Sequence, residues 1–232
     1  MKLAIMQPYF LPYIGYYQLI AAVDVFVVYD NIKYTKKGWI NRNRMLVNGR
    51  DAMFSLPLKK DSDSLDVVQR ELAADYSRER LLNQFKGAYS RAPHFGETFA
   101  LLERIVSSEE SNLFRYIHHS LVETCAHLCI DTEIRVSSGI GIDHSLKGQE
   151  KVLALCRAVG ADTYINAIGG TELYSCEEFG VQGVELKFIK SGSCSYGQFG
   201  ATFVPWLSII DVLMFNSLDV VRECIVVNRE II

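Results

Sequence analysis

The first thirty residues combine two short apolar runs with a helical pattern between them. Leu3–Met6 is followed by Gln7-Pro8, and Val25–Tyr29 is followed by Asp30. Between the two runs, apolar residues recur with helical spacing at positions 14, 17, 20 and 21. A buried strand, a loop, a helix and a second buried strand in this order are typical of parallel α/β sheets. The opening of the chain therefore predicts an α/β fold.

A hairpin and a helical block interrupt this pattern. Asn48-Gly49 lies between the apolar runs Met45–Val47 and Ala52–Leu56, and both turn residues tolerate the positive φ of a tight hairpin. Residues 77–129 then predict three helices, the last with an apolar stripe from Leu113 to Leu128. We interpret 77–129 as an all-helical insertion in a single α/β domain that spans residues 1–232.

The α/β pattern resumes after the helical block. The predicted elements are a strand at Thr132–Val136, a helix at Lys147–Val159 ended by Gly160, strands at Thr163–Ile165 and Val184–Ile189, a helix-prone segment at 171–178 and a helix at Trp206–Phe215. Strands that alternate with helices in this way predict a mainly parallel, Rossmann-like sheet.

Composition indicates a folded protein without a general affinity for anions. Of 232 residues, 49% are hydrophobic, which excludes wholesale disorder. The net charge of −3 gives no bulk attraction to nucleic acid, so any anion site is local. No stretch approaches the ~20 apolar residues of a membrane span, and no signal-peptide pattern follows Met1–Met6. We therefore expect a cytoplasmic protein with no membrane span.

The histidines and cysteines favour no metal site. His119, Glu123 and His127 share one helix face, but no HExxH motif is present and no further ligand is tied to them by spacing. We interpret this face as solvated. The six cysteines include no CxxC and no paired framework, so the sequence gives only weak support for zinc or disulfides.

Three segments follow predicted strands and carry residues suited to ligands. In the first, Gln7–Tyr16, a loop opens a helix whose free backbone N–H groups would bind phosphate or carboxylate. A glycine in the first turn lets a ligand approach the backbone. The candidate ligand-binding residues are Gln7, Tyr9, Tyr13, Gly15 and Tyr16. An ordinary strand-to-helix connection with core tyrosines explains the pattern equally well.

The second segment, Asp30–Arg44, follows a strand at its carboxyl end, where open α/β sheets bind ligands. A ligand rich in hydroxyls and phosphate requires basic side chains for phosphate, Asn and Asp for hydroxyls, and Trp for a sugar or base face. The candidates are Asp30 and Lys37 as catalytic residues and Trp39, Asn41, Arg42 and Asn43 as ligand-binding residues. A solvated basic loop is the alternative interpretation.

The third segment, Tyr164–Tyr174, combines Asn166 with the pair Gly169-Gly170 before a helix-prone stretch. Such a turn favours anions, and these three residues are candidate ligand-binding residues. The pattern is neither GxGxxG nor a P-loop, so it is a weak motif by itself.

Four blocks of the sequence resemble the WbqC-like protein family. They are Gln7–Tyr16, Lys36–Asn43, Tyr164–Gly170 and Pro205–Asn216. The resemblance runs over nearly the whole chain, and the first two blocks are highly specific. The family is associated with bacterial O-antigen and surface-polysaccharide gene clusters. This association implies a cytosolic protein that handles a nucleotide-activated sugar.

A weaker resemblance links the first strand and helix to pantothenate-synthetase-type and nucleotidyltransferase folds, which are HUP-type domains. There a HxGH motif cradles ATP phosphates, and the matching positions here are Tyr13-Ile14-Gly15-Tyr16. Tyrosine can donate a hydrogen bond to phosphate but carries no positive charge near neutral pH. The resemblance implies a Rossmann-like (HUP-type) nucleotide-binding fold, while the lost histidines put adenylate chemistry in doubt.

Three functions remain open. The first is an enzyme that attaches an acyl or aminoacyl group to a UDP- or dTDP-linked amino sugar, with ATP or an activated acyl donor as co-substrate. Asp30 would then bind or deprotonate the amine, and Lys37 with Arg42 would hold the diphosphate. The second is a nucleotidyltransferase-like enzyme that acts on a sugar phosphate with a divalent metal. The third is a non-catalytic sugar-nucleotide binder. A homodimer also remains open.

Overall fold

The structure is a computed structural model that describes residues 1–192, 194–200 and 202–232. Its strands within these ranges are β1 (Lys2–Met6), β2 (Val25–Val28), β3 (Arg42–Val47), β4 (Arg50–Ser55), β5 (Glu133–Val136), β6 (Thr163–Ala167), β7 (Glu185–Ser191) and β8 (Arg229–Ile231). The α-helices are α1 (Ile14–Ile20), α2 (Arg78–Tyr89), α3 (Phe95–Val106), α4 (Leu113–His127), α5 (Gly148–Val159), α6 (Cys176–Val181), α7 (Ile209–Phe215) and α8 (Leu218–Val226). Short 3-10 helices cover Val67–Gln69, Ser137–Gly139 and Ile168–Leu173.

Six of the strands form one sheet in the order β5-β2-β1-β6-β7-β8. Neighbouring strands are parallel except for β7 and β8, which are antiparallel. The first five strands in this order have the arrangement of a Rossmann-like sheet. The predicted α/β fold with a mainly parallel sheet is confirmed.

The strand order reverses between β1 and β6. The chain passes from β1 through α1 to β2 on one side of β1, whereas α5 returns the chain to β6 on the other side. Open α/β sheets bind ligands at such a point, outside the carboxyl ends of the strands. A ligand site is therefore expected among the loops at this edge of the sheet.

The central strands are buried on both faces. Ala4 and Phe26 belong to one core cluster with residues of α1, α4, α7 and α8. Leu3 and Val27 belong to a second cluster, with residues of α5 and α6 such as Leu155. Successive side chains of a strand point to opposite faces, so a continuous apolar run satisfies both clusters.

The helical block contains the three predicted helices, α2, α3 and α4. Ser77 and Asn112 begin α2 and α4, because their side chains accept hydrogen bonds from backbone N–H groups in the first turn. The apolar stripe that starts at Leu113 and ends at Leu128 is buried. No helix among the described residues is long and apolar enough to cross a membrane.

The β3–β4 hairpin forms where Asn48-Gly49 predicts it. The φ angles of these residues are 51° and 74°, the left-handed conformation that Asn and Gly adopt most readily. The hairpin is a two-stranded sheet separate from the main one. Its first strand carries Asn43 and Arg44, which both contact the candidate site described below.

The carboxyl-terminal part departs from the sequence prediction. The sequence patterns predict neither α8 nor the edge strand β8. A strand of only three residues is too short to show alternation. Segment 171–178 divides into a 3-10 helix that ends at Leu173 and α6, which begins at Cys176. Cys194 and Cys224 form a disulfide across a sequence separation of 30 residues, which the cysteine spacing does not predict.

Candidate functional site

The loop after β1 is held in place by distant elements. Asn43 Nδ2 donates to the carbonyl oxygen of Leu11 over 2.9 Å, and Ser208 Oγ donates to the same oxygen over 2.7 Å. Leu11 has a positive φ of 46°, which is strained for a residue other than glycine. Side chains from β3 and from the start of α7 therefore fix one carbonyl group and with it the path of the loop.

This loop forms one wall of an aromatic cleft with a cavity volume of about 220 Å³. The cleft is lined by Tyr9, Pro12, Tyr13, Trp39, Asn43, Arg44 and Trp206. Trp39 and Trp206 are 42% and 60% exposed, and the rings of Tyr13 and Trp206 meet edge to face with centroids 6.0 Å apart. Large aromatic rings exposed around a concavity are typical of ligand sites.

Arg44 supplies the polar side of the aromatic cleft. Its Nη2 donates to the carbonyl oxygen of Trp206 over 3.1 Å, and its Nη1 lies 3.3 Å from Asp51 Oδ2. The guanidinium carbon lies 5.5 Å from the ring centre of Trp39. Arg44 Nε is buried and has no hydrogen-bond partner in the described part of the chain. An unpaired buried N–H is costly, so the position of Arg44 is maintained by its other contacts.

Two tyrosines line the aromatic cleft. Burial raises the pKa of Tyr9 and of Tyr13, so both hydroxyls stay protonated near neutral pH and can donate to a ligand. Tyr9 Oη lies 3.4 Å from Oε1 of Gln7, which is exposed at the end of β1. Of the predicted residues in the first segment, these tyrosines are the two that line the cleft.

Gly15 and Tyr16 support the loop without lining the aromatic cleft. A Cβ atom on Gly15 would overlap the ring of Tyr13 and the hydroxyl of Ser191, so only glycine allows this close approach. Tyr16 is 2% exposed, and its hydroxyl donates to the backbone oxygen of Gln7 over 2.8 Å. Both residues therefore have structural contacts in the loop, and their ligand-binding role stays a prediction.

Asp30 is buried at the carboxyl end of β2 and is 2% exposed. Its Oδ1 accepts a hydrogen bond from Ser137 Oγ over 2.7 Å and another from the backbone N–H of Ser138 over 2.9 Å. Both serines follow β5, the strand next to β2 in the sheet. One carboxylate oxygen therefore joins the ends of two neighbouring strands.

The other polar residues of the second segment have backbone partners of their own. Asn41 Nδ2 donates to the carbonyl oxygen of Leu56 over 2.7 Å, and Arg42 Nε donates to that of Gly38 over 2.8 Å. Lys37 is exposed. These contacts secure the hairpin and the turn before it, and none of them involves Asp30. Of the predicted residues in this segment, Trp39 and Asn43 line the aromatic cleft.

The third segment lies at the carboxyl end of β6. Asn166 is 6% exposed, and its amide lies so close to Gly170 that a Cβ atom there would overlap it. Gly169 is exposed, with no atom near the position of a Cβ. The glycine pair therefore has one member required by packing and one that leaves open space at the point where the strand order reverses.

The polar face of α4 has separate partners for its members. Glu123 Oε2 lies 3.3 Å from Arg104 Nε, and His127 Nε2 lies 3.9 Å from an oxygen of Glu97. Burial lowers the pKa of His127. The described residues contain no group of three or more His, Cys, Asp or Glu side chains that could hold a metal ion.

Sequence reasoning missed a buried carboxylate, Asp211 of α7, which is 0% exposed. Its Oδ1 accepts from Tyr89 Oη over 2.9 Å, and its Oδ2 accepts from Tyr196 Oη over 2.7 Å and from Gln198 Nε2 over 2.6 Å. Burial raises the pKa of this carboxyl, and the three donors oppose the rise. The network ties α2 and α7 to the segment after β7 that also carries Trp206.

The protein is a Rossmann-like α/β protein with an aromatic cleft beside the loop that follows its first strand. The model of the WbqC-like protein family matches residues 7–223, and the chain belongs to this family, as its motifs predict. An uncharacterized protein of Mycobacterium tuberculosis, Rv1507c, is 27% identical over 231 residues, which cover 96% of this chain and 98% of that protein. No solved structure matches the chain.

Proposed function

We propose that the chain binds a UDP- or dTDP-linked amino sugar and places one ring of this ligand in the aromatic cleft. The observation that supports this most is the pair of exposed indoles, Trp39 and Trp206, beside the guanidinium of Arg44. Aromatic faces stack on bases, and arginine donates to phosphate or sugar oxygens. The hydroxyls of Tyr9 and Tyr13 add two further donors.

The size of the cleft supports binding of one ring. Its 220 Å³ is smaller than the ~300–1,000 Å³ of pockets that enclose a whole drug-sized molecule. A base or a sugar ring would therefore fill the cleft, while the rest of the ligand extends over the loop after β1. Gln7 is exposed at the start of this loop and can contact that part of the ligand.

The reaction that we propose is the transfer of an acyl or aminoacyl group to the amine of this sugar, as a step in surface-polysaccharide biosynthesis. An activated acyl donor would supply the acyl carbon, either a thioester or an acyl phosphate that forms from ATP and a carboxylic acid with release of ADP. The amine nitrogen attacks this carbon, the bond to the donor's leaving group breaks, and Asp30 takes the proton from the amine on Oδ2, the oxygen that is not bonded to Ser137 or Ser138. The position of Asp30 at the carboxyl end of β2 supports this role, because ligands of open α/β sheets bind at that edge.

Nucleotidyl transfer is supported less well by the geometry. The two histidine positions of the HxGH motif are held by Tyr13 and Tyr16, and the hydroxyl of Tyr16 already donates to the backbone of Gln7. A buried hydroxyl with that partner contributes neither charge nor a free donor to a phosphate chain.

Replacing Trp39, one of the two indoles of the aromatic cleft, with a smaller side chain tests the proposed site. Trp39→Ala is expected to weaken binding of a UDP- or dTDP-linked amino sugar on the order of tenfold, because stacking on one ring is worth ~1–3 kcal/mol. Isothermal titration with both nucleotide sugars measures the effect. Trp39→Phe retains an aromatic face and is expected to recover part of the affinity.

Val227→Ala serves as the matched control, since Val227 is a 64% exposed apolar residue that does not line the cleft. It should bind both nucleotide sugars as tightly as the wild type. Equal affinity of Trp39→Ala and the wild type would contradict the proposed site. Binding without any turnover in the presence of acyl donors would leave the third interpretation, a non-catalytic binder.

A further inference from the structure

A second cleft lies beside the carboxyl end of β2 and the beginning of α5. It is an open cavity of about 700 Å³. Its polar lining includes Tyr29, Asn31, Lys33, His144, Lys147 and Lys151, which define what we term the lysine cleft. None of these residues lines the aromatic cleft.

Lys151 is the unusual member of the lysine cleft, because it is only 7% exposed. Its Nζ lies 3.3 Å from Asn31 Oδ1 and 5.3 Å from the ring centre of Tyr29. Among the described residues, no ion pair within 4.0 Å includes this ammonium group. Lysine is almost never buried without a charged partner, and an ammonium has three N–H groups to satisfy. One long hydrogen bond and one aromatic face leave donor capacity for a ligand.

The partner of Lys151 is oriented by further hydrogen bonds. Asn31 Nδ2 donates to His144 Nδ1 over 2.9 Å, which leaves His144 Nε2 to donate to the carbonyl oxygen of Ile140 over 3.0 Å. This arrangement turns the Asn31 oxygen toward Lys151 and toward Ser137 Oγ, which lies 2.8 Å away. The amide and the ammonium are therefore positioned before any ligand arrives.

The rest of the lysine cleft has a positive character. Lys33 and Lys147 are exposed at its rim, and the only carboxylate among the described lining residues is that of Asp66. The Asp66 carboxylate caps the 3-10 helix at Val67–Gln69, and its charge and that of Asp30 oppose the lowering of the Lys151 pKa by burial. The helix α5, twelve residues long, begins at this cleft, and Lys147 provides no side-chain cap for its first N–H groups.

We propose that the lysine cleft is a binding site for a phosphoryl group, either a diphosphate or a phosphate ester, held by Lys151 at its base and by Lys147 and the start of α5 at its rim. A doubly charged oxyanion supplies the acceptors that the buried ammonium lacks and neutralises the excess positive charge of the lining. The proposal is independent of the aromatic cleft, since the two clefts have no residue in common. Asp30 adjoins the lysine cleft, because Ser137 Oγ contacts both Asp30 and Asn31.

Pyrophosphate is the probe that tests this site on the full chain, by isothermal titration at low ionic strength. Lys151→Met keeps the aliphatic length of the side chain and is expected to weaken pyrophosphate binding about tenfold or more, because a charge-assisted hydrogen bond is lost. Lys147 is exposed at the rim, so Lys147→Ala leaves the core unchanged and should fold like the wild type. We expect a roughly severalfold loss of pyrophosphate affinity. Lys60→Ala, an exposed lysine outside both clefts, should bind as the wild type does.

Further titrations with a nucleoside 5′-diphosphate and with tricarballylate distinguish the source of the anion. Tighter binding of the nucleoside diphosphate than of pyrophosphate assigns the phosphoryl group to a nucleotide, and equal binding assigns it to a free phosphate. The proposal is overturned if the wild type does not bind pyrophosphate, if tricarballylate binds as tightly, or if Lys151→Met and Lys147→Ala both bind like the wild type. Loss of nucleotide-sugar binding in Trp39→Ala with unchanged pyrophosphate binding would show that the two sites succeed or fail separately.

Discussion

Replacing Asp211 with alanine is expected to lower the free energy of unfolding by roughly 3 kcal/mol, because it leaves several buried hydrogen-bond donors unpaired. The carboxylate accepts from Tyr89, Tyr196 and Gln198, each within 2.9 Å. Tyr89 Oη also accepts from the backbone N–H of Leu46, so the substitution is expected to destabilise the hairpin that carries Arg44 as well. Urea denaturation followed by tyrosine and tryptophan fluorescence measures the loss.

Two further variants show whether the network itself is responsible. Asp75 is an exposed acid, and Asp75→Ala should change the free energy of unfolding by at most about 0.5 kcal/mol. Tyr196→Phe removes one donor and retains the ring, so a loss on the order of 1 kcal/mol is expected. An Asp211→Ala variant as stable as Asp75→Ala would show that the buried carboxylate contributes nothing to holding α7.

The parts of the fold that could be predicted are those that local pattern determines. Val25–Val28 is apolar at every position because the strand is buried on both faces, and no amphipathic helix explains such a run. The Asn48-Gly49 turn has a conformational requirement that two residue types satisfy best. The edge strand at Arg229–Ile231 pairs antiparallel to β7 through long-range contacts, so its own residues contain little signal.

The candidate site likewise contains residues that the local sequence pattern predicts and residues that only tertiary contacts bring together. Tyr9, Tyr13 and Trp39 could be singled out because they follow predicted strands and have side chains suited to ligands. Trp206 joins them only through tertiary structure, since its carbonyl oxygen meets Arg44 across 162 residues of sequence. The partners of Asp30 likewise come from a strand that is more than one hundred residues distant, and no spacing rule connects them.

The substitution Asp30→Asn distinguishes a chemical role of Asp30 from a structural one. Asp30→Asn keeps an oxygen that can accept from Ser137 and Ser138, so the fold and the melting temperature should change little. The amide has no basicity near neutral pH, and loss of a general base lowers turnover by roughly 10²–10⁴-fold. The assay follows the mass gain of a UDP- or dTDP-linked amino sugar with an acyl thioester, or with ATP and a carboxylic acid.

His119→Ala is the comparison for this prediction, because His119 has one long contact of 3.5 Å with the backbone of Arg104 and no role in the proposed reaction. It should retain wild-type turnover. Full activity in Asp30→Asn would exclude Asp30 as the base and leave it the structural role of joining β2 to β5. A collapse of turnover in Asp30→Asn with unchanged nucleotide-sugar affinity would instead place the carboxylate in the chemical step, since an interaction that acts only in the transition state lowers turnover without weakening binding of the ground state.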